Sequence, residues 1–340
     1  MGEAVIDHAL PLPKNHEVSA RNAPSLVEEL LDGTAFRVPQ NLLHWFEPHV
    51  AVGLGLLLRS IAEGIEECRS RRLRDAVVTV FASIVRRLSR ADPQPVSGLE
   101  VTKIRLRKLK DGLKFDVGRE FLQSLSKLAR GYEEMLSDGE PGDVQVIQGD
   151  ARKFASLIKQ DDFRPSLVIT SPAYCNAIEY WRRHRLEYQW LGLLDEKAIR
   201  EISREFIGST TVRQERLADL PENVHPEINT LTKKVEAKGH PRKANLLRKY
   251  FLDMETWISQ IRESMDLDGT LYVVIGASTS YGILIDTPVI LAGLAKHKGL
   301  VLKSKVSYRV INNKMQYPTR NGAGIRTEAM LCFKAEENVN

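Results

Sequence analysis

The chain is poor in cysteine and has no long apolar run. Its 340 residues include three cysteines, Cys68, Cys175 and Cys332, none of which forms a C-x-x-C pair. That spacing argues against a disulfide framework and against a zinc site, so no metal ligand set is expected. No stretch of about 18 uncharged apolar residues occurs, which argues against a membrane span. The first twenty residues carry acids and prolines where a secretory signal would have an apolar core. A cytoplasmic protein fits these absences. Ligand-site signatures are missing too: there is no G-x-x-x-x-G-K-[ST] and no G-x-S-x-G. Gly53-Leu54-Gly55 sits inside an apolar helical run with no strand before it, and so reads as helix packing. No glycine-rich loop follows any expected strand.

What the chain does have is concentrated basic charge. Its net charge is +5, but between Arg69 and Lys110 twelve Lys and Arg face only Asp75, Asp92 and Glu100. Arg105, Arg107 and Lys108 form the densest part. Such a block suits a polyanion such as nucleic acid; a solvated helix face is the alternative.

The hydrophobic pattern changes along the chain. Residues 1–40 lack periodicity and contain several prolines, as an N-terminal arm would. Residues 41–138 predict a helical, basic region for DNA or partner binding, with helices over Pro48–Cys68, Arg74–Leu88 and Val117–Leu136. Residues 139–340 predict an α/β domain. Its strands are expected at Val144–Ile147, Leu167–Thr170, Thr270–Ile275, Val301–Ile311 and Glu328–Phe333, with helices at Trp257–Met265 and Thr287–Lys296. Residues 199–248, polar and weakly periodic, read as an insertion.

Four motifs stand out. Ser171-Pro172-Ala173-Tyr174 ends the apolar run Leu167–Thr170. A hydroxyl and a proline-fixed carbonyl can accept from an exocyclic amine, and the tyrosine ring can stack on the base; a structural turn is the plainer reading. Gly149-Asp150 follows an expected strand. Its carboxylate could accept from an adenine amine or a ribose hydroxyl, or simply cap a helix. From Asn176 to Trp190, Tyr180, Trp181, Tyr188 and Trp190 alternate with Arg182, Arg183 and Arg185, as expected where bases stack and phosphates are held. The alternative is a helix packed on the sheet, and a split is expected, with apolar rings inward and some arginines toward nucleic acid. The loop Asn312–Arg326, with Lys314, Arg320 and Arg326, is long, polar and glycine-bearing, and suits nucleic-acid contact or free solvent.

Thr170-Ser171-Pro172-Ala173-Tyr174 resembles motif IV of the DNA methylase N-4/N-6 (amino-methyltransferase) family, S-P-P-Y type. The resemblance extends over about residues 41–335 through Trp45-Phe46, Val85-Arg86-Arg87-Leu88-Ser89, Gly149-Asp150, Glu205-Phe206-Ile207-Gly208-Ser209, Tyr272–Gly276 and Thr327-Glu328. It implies a Rossmann-like class I methyltransferase sheet in the order 3-2-1-4-5-7-6. It implies S-adenosylmethionine as cofactor and double-stranded DNA as substrate, with the target base flipped out of the duplex. Ser171, Pro172 and Tyr174 take the catalytic places, and Asp150, Thr170 and Ser171 lie toward the cofactor. Serine at the first position resembles the cytosine-N4 subgroup more than the adenine-N6 subgroup.

The chain departs from the family in two ways. Strands one and two and the glycine-rich motif I have no counterpart, so the implied sheet is incomplete, holding strands three to seven. The resemblance therefore implies the motif IV half of a split enzyme, whose second subunit supplies motif I. Ala173 stands where the family usually has proline. A non-catalytic DNA-binding or specificity subunit, or an RNA base methyltransferase, are the rival readings.

Overall fold

A computed structural model describes residues 18–92, 99–139, 142–158, 163–175, 180–221, 224–310 and 327–336. The chain divides into two compact units, Met1–Asp143 with Tyr180–Glu201, and Val144–Glu179 with Ile202–Asn340.

Helical spacing of apolar residues builds the first unit. Helix α1 (Ala23–Leu31) buries Ala23, Val27 and Leu31, four residues apart, against α2 (Pro48–Glu67). Residues 23–31 are therefore part of this core and not an arm. The amphipathic face escaped the sequence reading because it is only two turns long and sits among prolines. Helix α3 (Arg71–Leu88) starts at Ser70, whose hydroxyl accepts from the Leu73 amide at 3.3 Å, and buries Val80, Phe81, Ile84, Val85 and Leu88. The short basic α4 (Lys103–Lys110) and the long α5 (Val117–Ser137) follow. Gly53 of α2 faces α5, where a β-carbon would stand 2.9 Å from Val117 Cγ2. The G-L-G run is thus helix packing, as its sequence context indicated.

The segment Tyr180–Glu201 also belongs to this unit. Its helix α6 (Arg185–Trp190) inserts Trp190, fully buried, edge-on against Phe46 and Phe81 at 5.7 and 6.3 Å between ring centroids. The boundary expected at residue 139 is corrected accordingly: the chain leaves the first unit at Asp143 and returns to it after the motif IV segment.

The second unit is a mixed sheet with helices. The strands β1 (Leu167–Thr170), β2 (Thr270–Gly276), β5 (Leu300–Arg309) and β6 (Thr327–Ala335) lie in the order β1-β2-β6-β5. A small separate hairpin pairs β3 (Ser278–Ser280) with β4 (Ile283–Ile285). β1 and β2 run parallel, and β6 pairs antiparallel with both β2 and β5. This mixed α/β arrangement is compatible with a methyltransferase fold. One face of β2, Leu271, Val273 and Ile275, is buried in a core with helices α7 (Pro226–Ala237), α8 (Pro241–Ser264) and α9 (Thr287–His297).

Two expectations need correction here. Residues 199–248 are neither irregular nor unpacked: α7 buries Ile228, Leu231 and Val235, and α8 begins at Pro241 instead of near Trp257. The strand expected at Val144–Ile147 makes no ladder; Val146 is 90% exposed. Among the described residues no strand lies beside that segment to pair with it. β1 is left as an edge strand whose ladder is to β2, with Ile169 69% exposed.

Candidate active site

Because β1 and β2 are parallel, their carboxyl ends lie at the same edge of the sheet. This is where α/β sheets bind ligands. Thr170 ends β1, and Ser171 follows it, exposed, with Pro172, Ala173 and Tyr174 half-buried. β6 delivers Glu328 to the same edge, since it pairs with Gly276, the last residue of β2. The Tyr174 phenol donates to one Glu328 carboxylate oxygen, and the Tyr308 phenol donates to the other at 2.8 Å. That bond raises the Tyr308 phenol above its ordinary pKa. The Tyr174 ring is therefore tethered to the sheet through its hydroxyl.

The loop backbone is held as well. The Tyr250 phenol on α8 donates to the Ala173 carbonyl at 2.8 Å, and the Lys243 amine, two turns earlier, donates to the Cys175 carbonyl at 3.4 Å. Burial lowers the Lys243 pKa and raises that of the Cys175 thiol, which lies 3.5 Å from Ser278 Oγ. Gly208, at φ +80°, passes close to the loop, and a β-carbon there would stand 2.9 Å from the Tyr174 carbonyl. That approach places Glu205–Ser209, one of the resemblance segments, beside motif IV.

Asp150 begins a short 3-10 turn (Ala151–Lys153) as its N-cap, accepting from the Arg152 amide at 2.9 Å. The same carboxylate takes Arg152 Nη2 at 2.7 Å and Nε at 3.0 Å. Arg152 also donates to Asp253 at 3.1 Å and to the Glu205 carbonyl at 2.8 Å. Hydrogen bonding from Arg152 lowers the Asp150 pKa, and the partnership raises that of the guanidinium. Asp150 is thus a cap held in an ion pair, and a ligand amine would share its oxygens with Arg152. S-adenosylmethionine needs acceptors near its adenine and donors around its carboxylate. Asp150 and the carbonyls after β1 suit the first need. Among the described residues, no glycine turn leads from a strand of the sheet into a helix N-terminus to meet the second.

The residues assigned to nucleic acid divide. Arg105 is only 7% exposed: it donates to the Arg87 and Ser89 carbonyls at 2.7 and 2.8 Å and lies over the Phe115 ring. It is a structural arginine, which corrects its assignment to phosphate. Arg107 and Lys108, also on α4, are exposed. Arg185 is paired with Glu196 at 2.5 Å, and Arg182 and Arg183 are half-buried and engaged in interactions of their own. Tyr180 is exposed, whereas Trp190 is core. Lys314, Arg320 and Arg326 lie outside the described residues, as do residues 176–179. Sequence reasoning missed Lys243, Tyr250, Asp253 and Glu328 as site residues. The apolar spacing Ala244, Leu247, Phe251, Met254, Ile258, Ile261 would have extended α8 and placed Lys243 and Tyr250, seven apart, on one face. Among the described residues no cluster of His, Cys, Asp and Glu could hold a metal, and no helix is long and apolar enough to cross a membrane.

Comparison with known proteins relates part of the chain to the Type II DNA methyltransferases. It is 39% identical over 70 residues, 21% of its length, to the Type II methyltransferase M.BsoBI of Geobacillus stearothermophilus. It is 26% identical over 172 residues, 46% of its length, to the Type II methyltransferase M.AvaI of Nostoc sp. and, to the same extent, of Anabaena variabilis. These matches span 14% of M.BsoBI and 34% of M.AvaI. No family model matches the chain.

Proposed function

We propose that this chain is the motif IV subunit of a split DNA amino-methyltransferase, with the cytosine N4 amine favoured over the adenine N6 amine. The observation that carries this reading is the carboxyl end of β1, where an exposed Ser171, the Pro172 carbonyl and a tethered Tyr174 ring follow a parallel strand. The similarity to Type II methyltransferases supports it. Ser171 Oγ and the Pro172 carbonyl accept from the exocyclic amine of a flipped base, while Tyr174 stacks on its face. Two fixed acceptors orient the amine and leave its lone pair facing the donor, so the contribution is positioning and electrostatics. S-adenosylmethionine, when bound, supplies the electrophilic methyl group. Asp150 and Thr170 lie on the cofactor side.

A second subunit completes the cofactor site in this reading. Support comes from the edge position of β1 among the described residues and from the unladdered Val144–Ile147. An apolar parallel edge is a liability in isolation and a ready site for strand addition. Titration calorimetry tests this. The chain alone should bind S-adenosylmethionine weakly, and adding the partner should make binding tight. Tight stoichiometric binding by the chain alone would remove the need for a partner.

The first unit supplies DNA affinity through its exposed cations. Arg107→Glu with Lys108→Glu should weaken binding to any duplex. It should also flatten the salt dependence by about 0.9 in log–log slope for each phosphate no longer neutralised. Arg105→Glu should instead destabilise the unit, because it strips the buried Ser89 carbonyl and the part-buried Arg87 carbonyl of their donor. Fluorescence anisotropy across a salt series reads the first effect. An unchanged slope in the double variant would assign α4 to solvent.

A further inference from the structure

Ala173 removes a ring that would fix the loop backbone, and the fold offers a substitute. Proline locks φ near −65° and lowers the freedom of its segment. Here the carbonyl of Ala173 accepts from the Tyr250 phenol at 2.8 Å. Tyr250 is 1% exposed, so water does not compete for that bond, and its ring packs edge-on against Phe251 at 5.0 Å between centroids. Two residues further, the Cys175 carbonyl accepts from Lys243 on the same face of α8. The two tethered carbonyls bracket Tyr174, whose own hydroxyl is held by Glu328. The bracketed segment is the one that carries the stacking ring and adjoins the Pro172 carbonyl.

We infer that Tyr250, assisted by Lys243, is a positioning residue that holds residues 173–175 in base-accepting geometry in place of the missing proline. This rests on the reading of motif IV as the base pocket. Tyr250 touches no substrate; it acts through the Ala173 carbonyl. α8 also carries Asp253, the partner of Arg152, so one helix sets both the motif IV loop and the Gly149-Asp150 turn.

The test uses Tyr250→Phe, Ala173→Pro and the two combined. Phenylalanine keeps the ring packing and deletes the donor to the Ala173 carbonyl. Hydrogen exchange of the segment 171–175 in the chain alone should speed up about tenfold in Tyr250→Phe and return toward wild type when Ala173→Pro is added. In the enzyme reconstituted with its partner, kcat should fall on the order of 10²-fold in Tyr250→Phe, with KM for DNA changed by less than about threefold. The added proline should recover most of that kcat. A merely structural tyrosine would not respond to a proline 77 residues away in sequence. Wild-type exchange and kcat in Tyr250→Phe would overturn the inference, as would a loss that Ala173→Pro does not relieve. If the wild-type pair transfers no methyl group at all, the function proposed above fails, while the exchange arm still decides whether Tyr250 orders the loop.

Discussion

Replacing Ser171 with alanine is expected to lower methyl transfer by about 10²-fold, with DNA affinity held within a factor of about three. Ser171 is exposed at the end of β1 and outside the core, so the fold should survive its truncation. In the proposed reading its oxygen is one of two acceptors for the amine. An acceptor matters most as the nitrogen gains positive charge on methylation, so its loss falls on the transition state more than on ground-state binding. Tyr174 behaves differently. Tyr174→Ala removes a stacking face worth ~1–3 kcal/mol per base and should weaken base capture as well as turnover. Tyr174→Phe keeps the face and loses the tether to Glu328, so it should retain most base binding. Tritiated methyl transfer beside a binding assay on the same duplex separates the two effects. Wild-type turnover in Ser171→Ala and Tyr174→Ala together would take motif IV out of the chemistry.

The second large effect is on stability. Trp190→Ala should destabilise the first unit by about 3–5 kcal/mol, the range for deleting a fully buried tryptophan. The ring is completely buried between Phe46 and Phe81. Its indole N–H has no hydrogen-bond partner among the described residues, so packing carries the contribution. Tyr180→Ala, at an exposed ring of the same segment, should stay within about 0.5 kcal/mol of wild type. Urea denaturation read by circular dichroism distinguishes the pair. A comparable loss in both variants would mean the segment 180–190 stabilises through something other than the Trp190 core.

Trp190 also shows where the sequence was legible and where it was not. Long periodic elements could be read directly: Pro48–Glu67, Arg71–Leu88, Val117–Ser137 and the strands β2, β5 and β6 lie within a few residues of their expected bounds, whereas the short β3–β4 hairpin was not foreseen. The apolar periodicity of the long elements is set by one dominant burial face. The Arg and aromatic interleaving of 180–190 was ambiguous, because a ring that stacks on a base and a ring that fills a core look alike in sequence. Arg105 is the same case in charge: only the fold turns its guanidinium onto carbonyls while Arg107 faces water. The Thr170–Tyr174 segment after β1 could be singled out because its proposed chemistry is local to five positions. Its supports, Tyr250, Lys243, Glu328 and Gly208, could not, since each reaches the loop from a distant part of the chain. Val144–Ile147 failed as a strand for a further reason: alternation signals a strand, but a ladder needs a partner strand to exist.

The central claim is that this chain, completed by a motif I subunit, methylates an exocyclic amine in DNA. The most direct test is to incubate duplex DNA with tritiated S-adenosylmethionine, the chain and its partner, then digest the DNA to nucleosides and locate the label. The account predicts label in N4-methylcytosine, dependent on both subunits and reduced about 10²-fold by Ser171→Ala. Label in 5-methylcytosine, or no labelled nucleoside from the complete pair, would contradict it.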